Sequence, residues 1–526
     1  MCVLPIKPSL NYLDFIHKFV CLLQPTASVF AVSRSFPDAM IEPKWFAAGL
    51  ATLILGLLWA LNTLFSKESL RTCRLIAAFE ISTTIVCSSQ ALLFLLQEIG
   101  VISAYGRFTA GSFDNVAGFA SCLCLSIPLG YRLLGLYGRI YNVFFWSCKA
   151  ICAIAVILSA SRIGIVCLIV MTTLFLLRNY KKMLLVSIPI IITVMVVLTL
   201  TVKTNSSRGR WFIYCQAIEM IAERPFAGWG KGAFLENYMN RQADYFREHP
   251  DSEYAILADN VRHPLNEILL ITVEYGLLGL TIVFFAAIAV LMYYKKHRTE
   301  TGKLGLAVLL CIMLFSLFSY PFLYPFTWIM LAFALLCIFS DKIRFTKNSA
   351  IVVLFLLPLG SYYYIKEIRQ ELEFGEIQEK AGYGLARKML PRYAALYETK
   401  SDDYLFLYNY AAMQFDAGRY EEAGNTAKVC SEILADYDLC LLRGDIEQEL
   451  GNCKSAIAFY WQAYYMCPSR FVPLYEIYKI HRRSGNLSEQ NRLADMILNK
   501  EIKIDSEEIR RIKEDVRNFM DLSSSK

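Results

Sequence analysis

The sequence has little charge for its length. Only 19 % of its 526 residues are Asp, Glu, Lys or Arg, against 56 % hydrophobic residues and a mean hydropathy of +0.41. That balance excludes an ordinary soluble enzyme. Histidine is scarce, with five residues, and no CxxC pair occurs, Cys122 and Cys124 standing one residue too close. No P-loop, G-x-S-x-G or H-E-x-x-H stretch is present. The D-x-D triplet Asp436-Tyr437-Asp438 has no strand–loop context for a sugar-nucleotide site and reads as a solvated turn. No cofactor or metal is therefore expected. The net charge of +7 reports loop bias in so apolar a chain rather than affinity for nucleic acid.

What the chain has instead is long apolar runs, several reaching the roughly 18–20 residues that cross a bilayer. Spans are expected at about 12–33, 45–65, 75–97, 115–131, 140–159, 163–177, 183–202, 266–292, 303–320, 322–340 and 349–365. The fold class is thus all-α, a polytopic membrane bundle of about eleven helices. No cleavable signal peptide is evident in the N-terminal run. Of sixteen cysteines, twelve lie in or beside apolar runs and read as small packing residues. Cys430, Cys440, Cys453 and Cys467 lie in the polar tail, where one disulfide stays open if that tail is outside the cytoplasm.

Charge placement orients the spans. With the N-terminus cytoplasmic, the inner loops hold Lys67, Arg71 and Arg74, then Arg132 and Arg139, Arg178, Lys181 and Lys182, Lys295 and Lys296, and Lys342, Arg344 and Lys347. The long loop 203–262 is balanced, with eight basic and eight acidic residues. That loop, the Ser159–Arg162 junction and the C-terminal tail then fall outside the cytoplasm.

Two domains are expected, 1–365 with the external loop 203–265, and 366–526. In the second, Gly418, Gly451 and Gly485 recur at intervals of 33 and 34 residues, amid matching small and aromatic residues such as Ala423, Ala456 and Ala463. This helix–turn–helix period resembles tetratricopeptide repeats, with Cys453 where a Tyr is usual. Such repeats bind partners or brace a neighbouring domain.

Candidate chemistry gathers at the outer rim. Arg162, after Ser159-Ala160-Ser161 and between apolar helices, either snorkels to headgroups or serves a site. Arg208 and Arg210, the latter beside Trp211, are either interfacial anchors or a fork of donors for phosphate oxygens. His263 opens a span with Arg262 before it and Asn266 one turn on. It is either solvated or placed to take a proton from a hydroxyl. Lys231, Asp114 and Asn115 are secondary candidates for substrate binding.

These residues fall within stretches that resemble the O-antigen ligase superfamily, which includes O-antigen polymerases and some protein O-oligosaccharyltransferases. The stretches are Gly111-Ser112-Phe113-Asp114-Asn115-Val116-Ala117-Gly118, Ser159-Ala160-Ser161-Arg162, Gly209-Arg210-Trp211, Glu223-Arg224-Pro225-Phe226-Ala227-Gly228-Trp229-Gly230, and His263-Pro264-Leu265-Asn266 followed by Glu274-Tyr275-Gly276-Leu277-Leu278-Gly279. The similarity covers roughly residues 40 to 340. The resemblance implies a GT-C-type inverting glycosyltransferase in the bacterial inner membrane, taking a glycan from undecaprenyl diphosphate at the outer face. By position, Arg162 and Arg210 would grip the diphosphate and His263 would act near the acceptor hydroxyl. The implied acceptor is lipid A-core. Another repeat unit (a polymerase) or a protein Ser/Thr stays open, as does a lipid-linked glycan transporter with a repeat scaffold. A transporter would more often carry ionisable residues in mid-span. Membrane lipid and a protein partner on the repeats complete the expected partners.

Overall fold

The computed structural model describes residues 12–65, 72–104, 106, 110–134, 138–176, 204–342 and 346–524. Among them the structure is helical, apart from one isolated bridge between Ala110 and Phe113. Among the described residues, six helical stretches are long and apolar enough to cross a membrane: Glu42–Phe65, Arg74–Glu98, Val116–Leu133, Gly138–Leu158, Glu267–His297 and one beginning at Lys347. Cys21–Phe30, Arg162–Phe175 and Pro325–Ile338 are shorter apolar helices. The expected span 183–202 lies outside the described residues.

Some helix ends differ from the expected bounds. The α-helix expected over 115–131 ends at Ser126, because Pro128 cannot continue the hydrogen-bond ladder and Gly130 turns at φ 83°. The helix of the last expected span does not stop at 365 but runs from Lys347 on to Lys380, its polar second half being rich in the helix formers Glu, Gln, Lys and Arg despite Gly375.

The chain divides into two compact units, one of Met1–Thr199 with Phe284–Gly375, the other of Leu200–Val283 with Glu376–Lys526. In the first, the short helix Val116–Ser126 is enclosed by its neighbours. Close approach requires its Gly118, where a Cβ would stand 2.4 Å from the Tyr324 ring, and Gly164, where one would stand 2.9 Å from Ala120. Buried charges here are matched by backbone. Lys44 donates to Met40 O and Ser112 O, each at 2.6 Å, and Lys149 donates to Ser126 O at 2.6 Å at the negative end of the enclosed helix. Glu80 accepts the Gly130 N–H at 2.8 Å and pairs with Arg132.

In the second unit, the helices Thr204–Glu223 and Ala233–Glu248 share one core with C-terminal helices. Phe234, Tyr238 and Met239 pack with Tyr437, Ala463 and Met466. The apolar face of this loop thus packs on the tail. Gly418, Gly451 and Gly485 each adopt positive φ between paired helices: Tyr404–Asp416 with Tyr420–Cys430, Tyr437–Glu449 with Cys453–Met466, and Val472–Ser484 with Leu487–Asn499. The tail cysteines are free thiols. The reading of Asp436 as solvated is corrected. Only 1 % of it is exposed, because its Oδ1 caps the helix Tyr437–Glu449 by accepting from the backbone N–H groups of Asp438 and Leu439.

The helix Glu267–His297 is broken at Gly276 (φ 62°, ψ −163°). The break frees carbonyls and N–H groups that a membrane segment cannot leave unmatched. Residues 225–230 supply the partners. Trp229 N and Gly230 N donate to Val273 O and Glu274 O, both at 2.9 Å, while Leu277 N and Leu278 N donate to Pro225 O at 2.8 Å and Phe226 O at 3.1 Å. The two segments interlock through glycines. A Cβ on Gly276 would lie 2.2 Å from Phe226 O, and one on Gly228 2.5 Å from the Glu274 carbonyl.

Candidate functional site

Helix Thr204–Glu223 buries Phe212, Ile213, Gln216, Ala217 and Met220 and turns Arg210 toward a cleft of about 230 Å³. Asn205, Ser206, Gln242, Asp259, Val261 and Leu265 are among its other lining residues. One turn along the helix, Tyr214 joins Arg210 to the next motif. It lies in the field of the Arg210 guanidinium, hydrogen-bonds to the Asn266 side chain and donates to Leu265 O at 3.4 Å. Burial raises its phenol, and Arg210 and Asn266 only partly offset this, so it stays a neutral donor at neutral pH.

The His263–Asn266 turn is shaped by local rules. Leu265 takes φ 57°, a conformation a non-glycine residue holds only when its surroundings fix it. Its N–H donates to His263 Nδ1 at 2.9 Å. The neutral ring therefore carries its proton on Nε2, which faces the buried Glu267 carboxylate at 3.9 Å. Asn266 Oδ1 accepts from Ile268 N at 2.9 Å and Leu269 N at 3.1 Å, capping the broken helix. Lys231 stands exposed between Gly230 and Gly232, both at positive φ. The Gly232 N–H donates to Glu274 at 2.9 Å, and Glu274 is within electrostatic reach of His263 and Lys231.

Of the candidates, Arg210 is among the residues lining the cleft, whereas His263, Asn266, Lys231, Arg208 and Arg262 are not. Arg208 pairs with Glu253 at the surface. Arg262 reaches Asp436 Oδ2 through Nη2 at 2.8 Å and Nε at 3.2 Å, and Asn260 donates to the same oxygen at 2.9 Å. Arg162, Asp114 and Asn115 belong to the other compact unit. Arg162 begins the helix Arg162–Leu176, after a turn with Ala160 at φ 52° and the Ser161 hydroxyl accepting from Gly164 N at 3.3 Å. Asp114 accepts from the Tyr324 hydroxyl at 2.6 Å. Asn115 donates to that hydroxyl at 2.6 Å and caps the enclosed helix through Gly118 N.

Sequence reasoning missed Tyr214, Glu267, Gln242 and Asp259. Tyr214 and Glu267 were within reach, each one helical turn past a named residue, Arg210 and His263 respectively. Gln242 and Asp259 carried no such signal. Gln242 is buried and donates to Asp259 O at 3.0 Å and Met466 O at 2.6 Å. Asp259 is held by Arg470 at 2.8 Å and Lys503 at 3.7 Å.

A family model described as O-Antigen ligase matches residues 148–284. That match supports the O-antigen ligase superfamily and a glycan-transferring, ligase- or polymerase-like role in a multi-pass membrane protein. A search of curated proteins finds no match. The ligase-family segment holds Arg162, Arg210, Lys231, His263 and both partners of the interlock, and it ends at the boundary of the second unit's loop portion.

The wall of the cleft is fixed by reciprocal charge pairs: loop Asp259 to tail Arg470 and Lys503, loop Arg262 to tail Asp436. Burial works to raise the Asp259 carboxyl, but Arg470, the Asn260 N–H and Lys503 hold it below the ordinary value of 3.8. Its contribution to stability is therefore full above that value and is lost as pH falls through the lower folded one. Asp436→Asn keeps a capping oxygen but removes the charge facing Arg262. It is expected to cost about 1–3 kcal/mol and to speed amide hydrogen exchange over residues 259–266. Arg262→Ala should do the same, and unchanged exchange in both variants would remove the clamp.

Proposed function

We propose that this chain is an inverting glycosyltransferase that moves a glycan from undecaprenyl diphosphate to lipid A-core at the outer face of the bacterial inner membrane. The observation that carries the reading is Arg210 on a cleft inside the segment matched as O-Antigen ligase. The diphosphate is already a good leaving group, so the enzyme mainly has to hold negative charge as the anomeric bond breaks. Fixed guanidinium groups at a low-dielectric rim do this without a metal. Arg210 takes that role in its unit, and Arg162 carries the same assignment by resemblance. The acceptor oxygen attacks C1 from the face opposite the departing diphosphate. Its proton leaves to the Glu267 carboxylate, which the His263 Nε2–H faces and positions, and the product has inverted configuration. Arg208, Arg262, Asn266, Lys231, Asp114 and Asn115 serve as supporting residues.

Eleven spans with a cytoplasmic N-terminus put the loop 203–265 and the C-terminal helices on the periplasmic side. The paired helices of the tail act as tetratricopeptide-like repeats that brace the loop and guide acceptor or partner. Deleting the gene and analysing lipopolysaccharide, capsule and glycoproteins side by side tests the proposal. Lipid A-core without long glycan is the expected result. Single-repeat chains would assign a polymerase, naked proteins an oligosaccharyltransferase, and unchanged envelope glycans would overturn all three.

A further inference from the structure

We propose that the turn around Phe226 is embedded in the bilayer, its side chain among the acyl chains at the border of the leaflet on the Gly276 side. The depth follows from the broken helix. From Leu277 to the basic end at Lys295-Lys296-His297 the helix rises about 30 Å, at about 1.5 Å per residue, which is the thickness of the hydrocarbon core. With those cations held at one headgroup layer, Gly276 lies at the opposite border. Phe226 is bonded through its carbonyl to Leu278 N and so is fixed at the depth of that leucine, inside the border rather than above it.

The exposures agree. Phe226 is 71 % exposed and Leu278 60 %, and only 6 % of the apolar window of this span is buried by protein. An apolar surface continuous with a lipid-facing span takes the same solvent as the span. Backbone hydrogen bonding permits it. Pro225 has no N–H, and the Pro225 and Phe226 carbonyls are used by the helix break, so this piece of non-helical chain has those groups matched. Arg224, stacked over the Trp229 ring at 4.1 Å, then lies at headgroup level, where both residue types are favoured. The inference concerns placement alone and does not depend on the transfer reaction.

Spin labels read the surroundings directly. Phe226→Cys and, as an aqueous reference in the same loop, the exposed Asp251→Cys would be made in the full chain with Cys215 and Cys453 replaced by serine. Each would be labelled and reconstituted in phosphatidylethanolamine–phosphatidylglycerol vesicles, with the background spectrum subtracted. At 226, collisions with oxygen should exceed those with a water-soluble nickel chelate by about fivefold or more, since the hydrocarbon excludes polar solutes. The ratio should reverse at 251. Nickel-dominated relaxation at 226 would place the turn in water. Low collision rates with both reagents would place it against a second copy or another protein. Either result overturns the proposal.

Discussion

Arg210→Ala is expected to lower glycan transfer by about 100- to 1,000-fold, the usual effect of removing one fixed donor from a developing anion. In the proposed transfer, charge builds on the diphosphate oxygen as its bond to the sugar breaks, and a preset guanidinium meets that charge without rearranging. Arg210 faces a cleft while its helix is anchored by the neighbouring Phe212 and Ile213. The variant should therefore reach the membrane at the normal level. Arg210→Lys keeps the charge but not the fork, and should fall between the two. His263→Ala should also lose transfer if the proposed site holds, since it removes the group facing the Glu267 carboxylate. Transfer from a purified lipid-linked glycan, alongside immunoblots of membranes, measures both. Full activity of Arg210→Ala would dismiss the phosphate role.

The second large effect is structural. Gly276→Ala should reduce folded protein sharply, at a cost of about 3 kcal/mol or more. Two independent terms add: a positive φ that alanine resists, and a Cβ placed 2.2 Å from Phe226 O. Relieving the contact would separate the segments and expose four backbone hydrogen bonds where little water is available to replace them. Gly360→Ala is the control, since a Cβ there meets nothing within 4 Å and the site is helical. It should be neutral or slightly stabilising. Thermal unfolding in detergent separates the two, and an unchanged midpoint for Gly276→Ala would mean that the break tolerates a side chain.

The membrane class, the motif order and the turn glycines of the tail were legible because each rests on local pattern: apolar run length, spacing, and the need for positive φ. The end of the Val116–Ser126 helix was legible in principle at Pro128, but apolarity alone carried the expected span past it. Other features depend on residues far apart in the chain. Nothing near Asp436 announces that Arg262 will neutralise it, so a buried cap looked like a solvated turn. That Arg262 also binds this carboxylate is likewise invisible in its own neighbourhood of the chain. The His263 tautomer set by the Leu265 N–H could not be read from the letters. The family stretch Glu223–Gly230 was recognisable as a motif, whereas its partnership with Glu274–Leu278 needs coordinates.

The shared core of loop and tail has a consequence in time. Phe234, Tyr238 and Met239 leave the ribosome about 200 residues before Tyr437, Ala463 and Met466, which at roughly 5–20 residues per second is a delay of about 10–40 s. Throughout that interval the early half of the body waits with its greasy side uncovered, and every later span must be laid into the bilayer before the missing half arrives. Chains cut short by a premature stop between residues 380 and 430 would keep their earlier apolar helices yet present this bare surface permanently, making them natural prey for quality-control proteases.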